Sequence, residues 1–367
     1  MAASQGYDEM YGTEDDRGTI TVTGITQESD NDAFGVYAYQ IVKATYDETT
    51  GIFSGYKALY PDISVEADSN GVVSFTQDQL DSIRNKIEAG NMAEGAASGE
   101  LTYVSGTTFK TSDNSLPVGS YLIVVRGAET KVYNSAVASI VYDASSNVVD
   151  DDLNIIDGSA WLKVTNAPDI TKTVSEPEEG GTPDNSEVSN GNSVNIGDTV
   201  KYSVKIDPIP YYGGSNPVLN VVDTLSEGLT YTQGTLSVTV DNNPLSSDVD
   251  EDTEANYYHA EITGDTITVN FVLNGKYTLN EFAGQSVIIS YDATVNNLAS
   301  VNVPGNENTA KLHYTVDSTL SSGEKTDESK TYTYTFDING MVRGTTNVLT
   351  KVGEDIYENA LPGATFG

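Results

Sequence analysis

The sequence predicts an all-β protein of tandem antiparallel β-sandwiches, with one helix in the first of them. Three observations carry this. Segments alternating apolar and polar residues recur along the chain: GTITVTGI, SYLIVV, TVKYSVKI, TLSVTV, DTITVNFVL, SVIISYDATV, TAKLHYTV and KTYTYTF. Clusters of Gly, Asn, Asp and Ser separate them, as turns do. Tyr, Thr and Val, which suit a pleated surface, are abundant, and long helical periodicity is scarce.

Residues 1–18 lack this patterning and read as an N-terminal tail. A first sandwich is expected over 19–167. Its helix is TQDQLDSIRNKIEAG, where Thr76 and Gln79 form a capping-box pair. Leu80, Ile83 and Ile87 make one apolar stripe and Gly90 stops the helix, which should cover one sheet. A boundary falls in WLKVTNAP, and a second sandwich is expected over 168–340. Its acidic, Gly/Ser/Pro-rich segment SEPEEGGTPDNSEVSNGN reads as a long exposed loop. Residues 341–367 hold two strand-like pieces, too little chain to bury a core alone.

Composition removes whole classes of function. Acidic residues number 54 against 18 basic ones, a net charge of −36 that would repel nucleic acid and anionic lipid. Without cysteine there is no disulfide, thiolate metal site or cysteine nucleophile. The two histidines, His259 and His313, lie in apparent strands without a catalytic or ligand partner set, and are expected to be structural. No Walker loop, nucleophile elbow or dinucleotide fingerprint occurs, and no acid pair stands out as a glycosidase would need. An enzyme acting on external substrates is not expected, nor a cofactor. The acidic runs Asp150 to Asp152 and SDVDEDTEAN fit no calcium-loop spacing and read as solvated charge. No apolar run is long enough for a membrane span, and the opening MAASQGYDEMYG has no signal-peptide pattern.

One residue conflicts with its surroundings. In the strand APDITKTV, Lys172 shares a face with Ile170 and Val174, residues that normally point into a core. A charged amine rarely goes there unpaired. It can snorkel to solvent at a sheet edge, form a buried ion pair, or, as a neutral amine, attack an Asn side-chain amide and release ammonia. The last requires a depressed lysine pKa and a neighbouring acid kept protonated, and burial shifts both in that direction. The sequence offers Asp223, at the end of the apolar strand in LNVVDTLSEGLTY, and Asn308, opening the strand in PGNENTAKLHYTV.

The ordered set ITKTV, IGDTVKYSVKI, VVDTLSEGLTY, VIISYDATV and NENTAKLHYTV over residues 170–315 resembles the isopeptide-forming domain of Gram-positive, sortase-assembled pilins of the fimbrillin type. By that resemblance Lys172 is the amine, Asn308 the amide and Asp223 the catalytic carboxyl. Residues 19–167, with VYAYQIVKATYDETTG and LPVGSYLIVV, resemble the N-terminal domain of such pilins. The closing LTKVGEDIYENALPGATF resembles the opening strands of a collagen-adhesin B-type domain, with Lys351 in the bond-forming position. The implied fold is a series of immunoglobulin-like, collagen-adhesin B-type sandwiches, the third incomplete.

The departures from the pattern are specific. GTITVTGI holds no lysine, and Val124 and Val125 stand where related domains carry a glutamate, so no internal bond is expected in the first sandwich. Ala167 occupies the place of the sortase-reactive lysine before the junction proline, which leaves Lys163 as the nearest acceptor. LPGATFG is not an L-P-x-T-G sorting signal and reads as a strand. The implied function is a structural subunit of a cell-surface pilus, secreted and held at the cell wall, whose partners are neighbouring pilin subunits joined by sortase. The alternative is a tip or accessory adhesin for host glycan or matrix protein, with Tyr211, Tyr212, Tyr257 and Tyr258 as an exposed aromatic surface, although β-propensity favours reading these tyrosines as ordinary strand residues.

Overall fold

The computed structural model describes residues 12–61, 63, 74–143, 155–177, 183–188, 191–214, 217–247, 257–300, 305–316, 324–335, 352–353 and 356–360. Its strands form groups that share no sheet: one before residue 167, one from 169 to 335, and an antiparallel pair of Val352–Gly353 with Ile356–Ala360.

The first group contains β1 (Ile20–Thr23), β2 (Gly35–Tyr46), the helix α1 (Gln77–Glu88), β3 (Ser98–Ser105), β4 (Thr108–Lys110), β5 (Gly119–Arg126), β6 (Ala136–Tyr142) and β7 (Gly158–Trp161). A nine-stranded sheet runs Ile155–Ile156, β6, β5, β2, β3, β4, β1, β7, with Phe53–Ala58 added on β2. Its two end strands are consecutive in the chain and β6 touches β7, so the sheet curls upon itself. Inside lie Ile20, Val22, Ala38, Phe109, Tyr121 and Ile123. Arg17–Gly18, which the sequence placed in the tail, pair antiparallel with Leu116–Pro117.

Helix α1 begins with the capping box of Thr76 and Gln79. Beyond its C-terminus, Gly90 adopts φ +78°, a conformation that favours glycine. Leu80, Ile83 and Ile87 pack on Tyr39, Ile41, Leu122 and Val124, the outer face of β2 and β5. Both faces of β5 are thereby buried, which explains why SYLIVV reads as a near-continuous apolar run rather than a clean alternation. Burying Ile83 completely contributes about 1.5–3 kcal/mol.

The second group contains β8 (Asp169–Pro177), β9 (Thr199–Asp207), β10 (Leu219–Leu225), β11 (Ser237–Val240), β12 (Thr266–Asn270), β13 (Val287–Val295), β14 (Asn306–Thr315) and β15 (Glu324–Thr335). One sheet runs Pro183–Val188, β8, β9, β13, β11, Asn243–Pro244, with Leu229–Tyr231 also on β13. The other runs Gly191–Val194, β15, β14, β10, β12, His259–Thr263. Alternate residues of both sheets, such as Val204, Ile289, Val221 and Leu312, fill one core.

The segment from Ser175 corrects the expectation of a long exposed loop. Ser175 and Pro177 pair with Glu187 and Pro183 in a hairpin, and Gly191–Val194 then joins the other sheet parallel to β15. Asn192 is buried there, its Nδ2 donating to the Ser175 carbonyl at 2.7 Å. Backbone pairing needs no hydrophobic alternation, so composition gave no sign of it.

The two groups meet at a built seam. Val132 joins the second core, and Tyr133 N donates to the Val316 carbonyl at 3.2 Å. Asn134 donates to the Tyr211 carbonyl at 3.2 Å and accepts from Gly213 N at 2.5 Å. Gly214 covers the buried Asp81–Arg84 ion pair of α1; a Cβ there would stand 3.1 Å from Asp81 Oδ1.

Candidate functional site

Strand alternation positions the site. On β8 the inward residues are Ile170, Lys172 and Val174; on β10 they are Leu219, Val221, Asp223 and Leu225. On β14 they are Asn306, Asn308, Ala310 and Leu312. Lys172 comes from one sheet, Asp223 and Asn308 from the facing one. Each breaks an apolar face with a polar group, and each is buried: Lys172 and Asn308 at 0% exposure, Asp223 at 2%.

The edge-snorkelling reading of Lys172 therefore fails. Lys172 lies opposite Val204 of β9, and its side chain is wholly buried in the core between the sheets. Lys172 Nζ forms an ion pair with Asp223 Oδ2. It lies 5.1 Å from the ring centroid of Tyr202 and 5.4 Å from that of Tyr291. Burial pushes the amine below lysine's ordinary range, while the Asp223 charge pulls the other way.

Tyr291, on β13, joins this cluster although nothing in the sequence singled it out. Its hydroxyl touches all three polar groups. It donates to Asp223 Oδ2 at 2.8 Å, accepts from Asn308 Nδ2 at 2.7 Å, and lies 3.2 Å from Lys172 Nζ. Burial holds the phenol well above its ordinary range, so it stays neutral. A tyrosine on the core face of a strand is ordinary, and only its position opposite Asp223 and Asn308 distinguishes it.

The neighbouring polar residues are differently placed. Asn306 also faces inward, but its amide is committed: Oδ1 accepts from Ser300 N at 2.8 Å and Nδ2 donates to the Thr333 carbonyl at 2.9 Å. Asn308 Oδ1 and Asp223 Oδ1 have no hydrogen-bond partner. Glu307 points to the opposite side of β14 and pairs with Lys330 at 3.2 Å. Tyr202 directs its hydroxyl to Thr333 Oγ1 at 2.8 Å.

Lys163 is exposed, outside this buried cluster, with its amine 3.0 Å from the ring centroid of Tyr211. Ala167 is half-buried against the second core. Lys351, Asp150 to Asp152 and LPGATFG lie outside the described residues, as does nearly all of SDVDEDTEAN. Among the described residues no His/Cys/Asp/Glu group could hold a metal ion, and no helix is long and apolar enough to cross a membrane. Val124 and Val125 are buried in the first unit, and Lys172 is the buried lysine among the described residues.

The exposed aromatic surface of the alternative reading is not found, and the tyrosines behave as structural residues. Tyr212 and Tyr258 are only 5% and 6% exposed, and Tyr211 and Tyr257 are half-buried. The Tyr212 hydroxyl donates to the Thr315 carbonyl at 2.7 Å, and its ring packs edge-on to Tyr277. These tyrosines fill the seam and the core because a ring buries a large apolar area while its hydroxyl can still reach a polar partner, as in Tyr212.

Comparison with known proteins bears on the same region. Residues 196–318 match the model of the family described as Gram-positive pilin backbone subunit 2, Cna-B-like domain. The trypsin-resistant surface T6 protein of Streptococcus pyogenes serotype M6 is 26% identical over 286 residues, covering 76% of this chain and 49% of that protein. The chain thus spans about half the length of the curated relative it matches. The solved T6 backbone pilin of serotype M6 Streptococcus pyogenes, described as a modular three-domain structure with variable loops and extensions, superposes with a TM-score of 0.59. It is 22% identical and aligns over 89% of this chain and 65% of its own.

Proposed function

We propose, from residues 196–318 that match the model of the Gram-positive pilin backbone Cna-B-like domain, that this protein is a structural subunit of a cell-surface pilus whose second unit is tied by an isopeptide bond between Lys172 and Asn308. The observation that carries the bond is the buried constellation of amine, acid and amide, drawn from facing sheets into one apolar core. Structural ion pairs seldom sit in full burial, because desolvation there offsets most of the Coulomb gain. A lysine depressed by burial is, by contrast, a prepared nucleophile.

The chemistry follows from the geometry. Lys172 transfers its ammonium proton to Asp223 and attacks the Asn308 carbonyl carbon. One proton carried by Asp223 would satisfy both orphaned oxygens, Asp223 Oδ1 and Asn308 Oδ1, and polarise the amide. Ammonia departs, and the amide left behind joins β8 to β14 across the core. Tension along the chain then passes through the link without unzipping the sheets. No redox control is needed, in keeping with a chain that lacks cysteine.

The division into 19–167 and 168–340, with 341–367 opening a third unit, is supported by the separate sheets and cores. Neighbouring subunits joined by sortase are the proposed partners, with Lys163 as acceptor. The wild-type chain is expected to weigh one ammonia less than its sequence, with the link mapped to Lys172 and Asn308. A folded protein at full sequence mass would sink the bond; loss of two ammonias would place a second bond elsewhere. Incubated with a pilin sortase and a sorting-signal peptide, wild type should form a covalent adduct that Lys163→Ala cannot. An adduct that persists in Lys163→Ala would move the acceptor to another lysine.

A further inference from the structure

We propose that Tyr291 is a catalytic residue of bond formation, its phenol relaying a proton from Asp223 to the amide nitrogen of Asn308 that leaves as ammonia. This rests on the Lys172–Asn308 reading and adds a group to it. Attack on an amide is followed by a difficult step: the departing nitrogen leaves poorly until it gains a proton. The proton originates on Lys172 and reaches Asp223 through the Nζ–Oδ2 contact. Tyr291 Oη stands between that acid and the departing nitrogen, 2.8 Å from Asp223 Oδ2 and 2.7 Å from Asn308 Nδ2. Both distances lie within proton-transfer reach.

The step balances without a co-reactant. Nζ first passes its ammonium proton to Asp223, and its lone pair then forms a bond to Asn308 Cγ as the carbonyl π pair moves onto Oδ1. The phenol gives its proton to Nδ2 as Asp223 gives its proton to the phenol oxygen. The carboxylate so restored takes the second proton that Nζ sheds. The carbonyl re-forms, Cγ–Nδ2 breaks and ammonia departs. Tyr291 ends as it began, and Asp223 ends protonated and neutral beside the new amide. In the unreacted site Nδ2 is a planar amide donor to Oη; once Cγ is tetrahedral, Nδ2 carries a basic lone pair and both hydrogen bonds at the phenol reverse. A phenol is suited to this exchange because its oxygen accepts one proton while donating another. The burial that keeps it neutral preserves the proton it must give.

Tyr291→Phe keeps the ring and removes only the relay. Chain recovered from inclusion bodies in denaturant, before the bond forms, is diluted into buffer and its intact mass followed over time, with circular dichroism reporting folding. Wild type is expected to lose one ammonia, and Tyr291→Phe to lose it roughly 100-fold more slowly or not at all, within the usual range for a general acid–base group. Folded Tyr291→Phe that reacts at the wild-type rate overturns the relay and leaves the bond intact. Wild type that folds without losing ammonia overturns the bond and the relay together. Because Tyr291→Phe could fail to fold, the wild-type rate is also measured in mixtures of light and heavy water. A relay with two protons in flight gives a curved dependence on deuterium fraction, and a linear one overturns it.

Discussion

Asp223→Ala protein is expected to retain its full sequence mass and to be the least stable of the single-site variants. Two losses combine. Without the acid the amine has no proton acceptor and the amide no activation, so the link does not form. By the chain-entropy treatment used for disulfides, a loop of roughly 136 residues between positions 172 and 308 is worth roughly 5 kcal/mol. The substitution also leaves Lys172 buried without its carboxylate, which costs about 3–5 kcal/mol. The sum rivals the whole stability of a typical domain, about 5–15 kcal/mol. The second unit should become protease-sensitive while the first, with its own cores, persists. Adding Lys172→Met should recover the ionic part and leave the entropic part lost. Ammonia loss by Asp223→Ala would remove Asp223 from the mechanism.

Asn308→Ala separates the two losses. It removes the acceptor carbonyl but keeps the Lys172–Asp223 pair, so the expected cost is chiefly the link, roughly 5 kcal/mol. At about 2–4 °C per kcal/mol for a unit of this size, its melting temperature should fall by about 10–20 °C. It should also gain a pH dependence that wild type lacks. In this variant Lys172 still titrates, and its folded value is pushed below its unfolded one by burial. Between those two values the unfolded chain binds more protons, so stability rises with pH across that window. In wild type the same nitrogen is an amide and does not titrate. Thermal melts of both proteins across the alkaline range decide this. A wild type that shows the same rise would mean that Lys172 is a free amine.

Period-2 alternation was sufficient to expose Lys172, because one charged residue between Ile170 and Val174 conflicts with every neighbour on that face. Asp223 carries the same signal, following Leu219 and Val221 inward on β10. The choice of Asn308 over Asn306 was not available from alternation, since both face inward. It came from the family resemblance, and hydrogen bonding agrees with it: Ser300 and Thr333 occupy the Asn306 amide, whereas Asn308 Oδ1 has no hydrogen-bond partner. The acidic segment after Ser175 misled for the opposite reason. Its strands are held by backbone pairing, to which composition is blind.

By itself, then, the sequence determined the all-β class, the capped helix over the first sheet, and the lysine and acid embedded in apolar strands. These are local properties, set by side-chain period and capping chemistry within a dozen residues. The tertiary structure alone decided that Tyr291 touches amine, acid and amide at once, and that Tyr211 and Tyr212 belong to a seam instead of an exposed surface. Such facts depend on which strands from opposite sheets face each other, at separations of 17 to 119 residues for the Tyr291 contacts. No local pattern encodes that pairing. It is fixed when two twisted sheets close over one core and bring particular positions on each into contact.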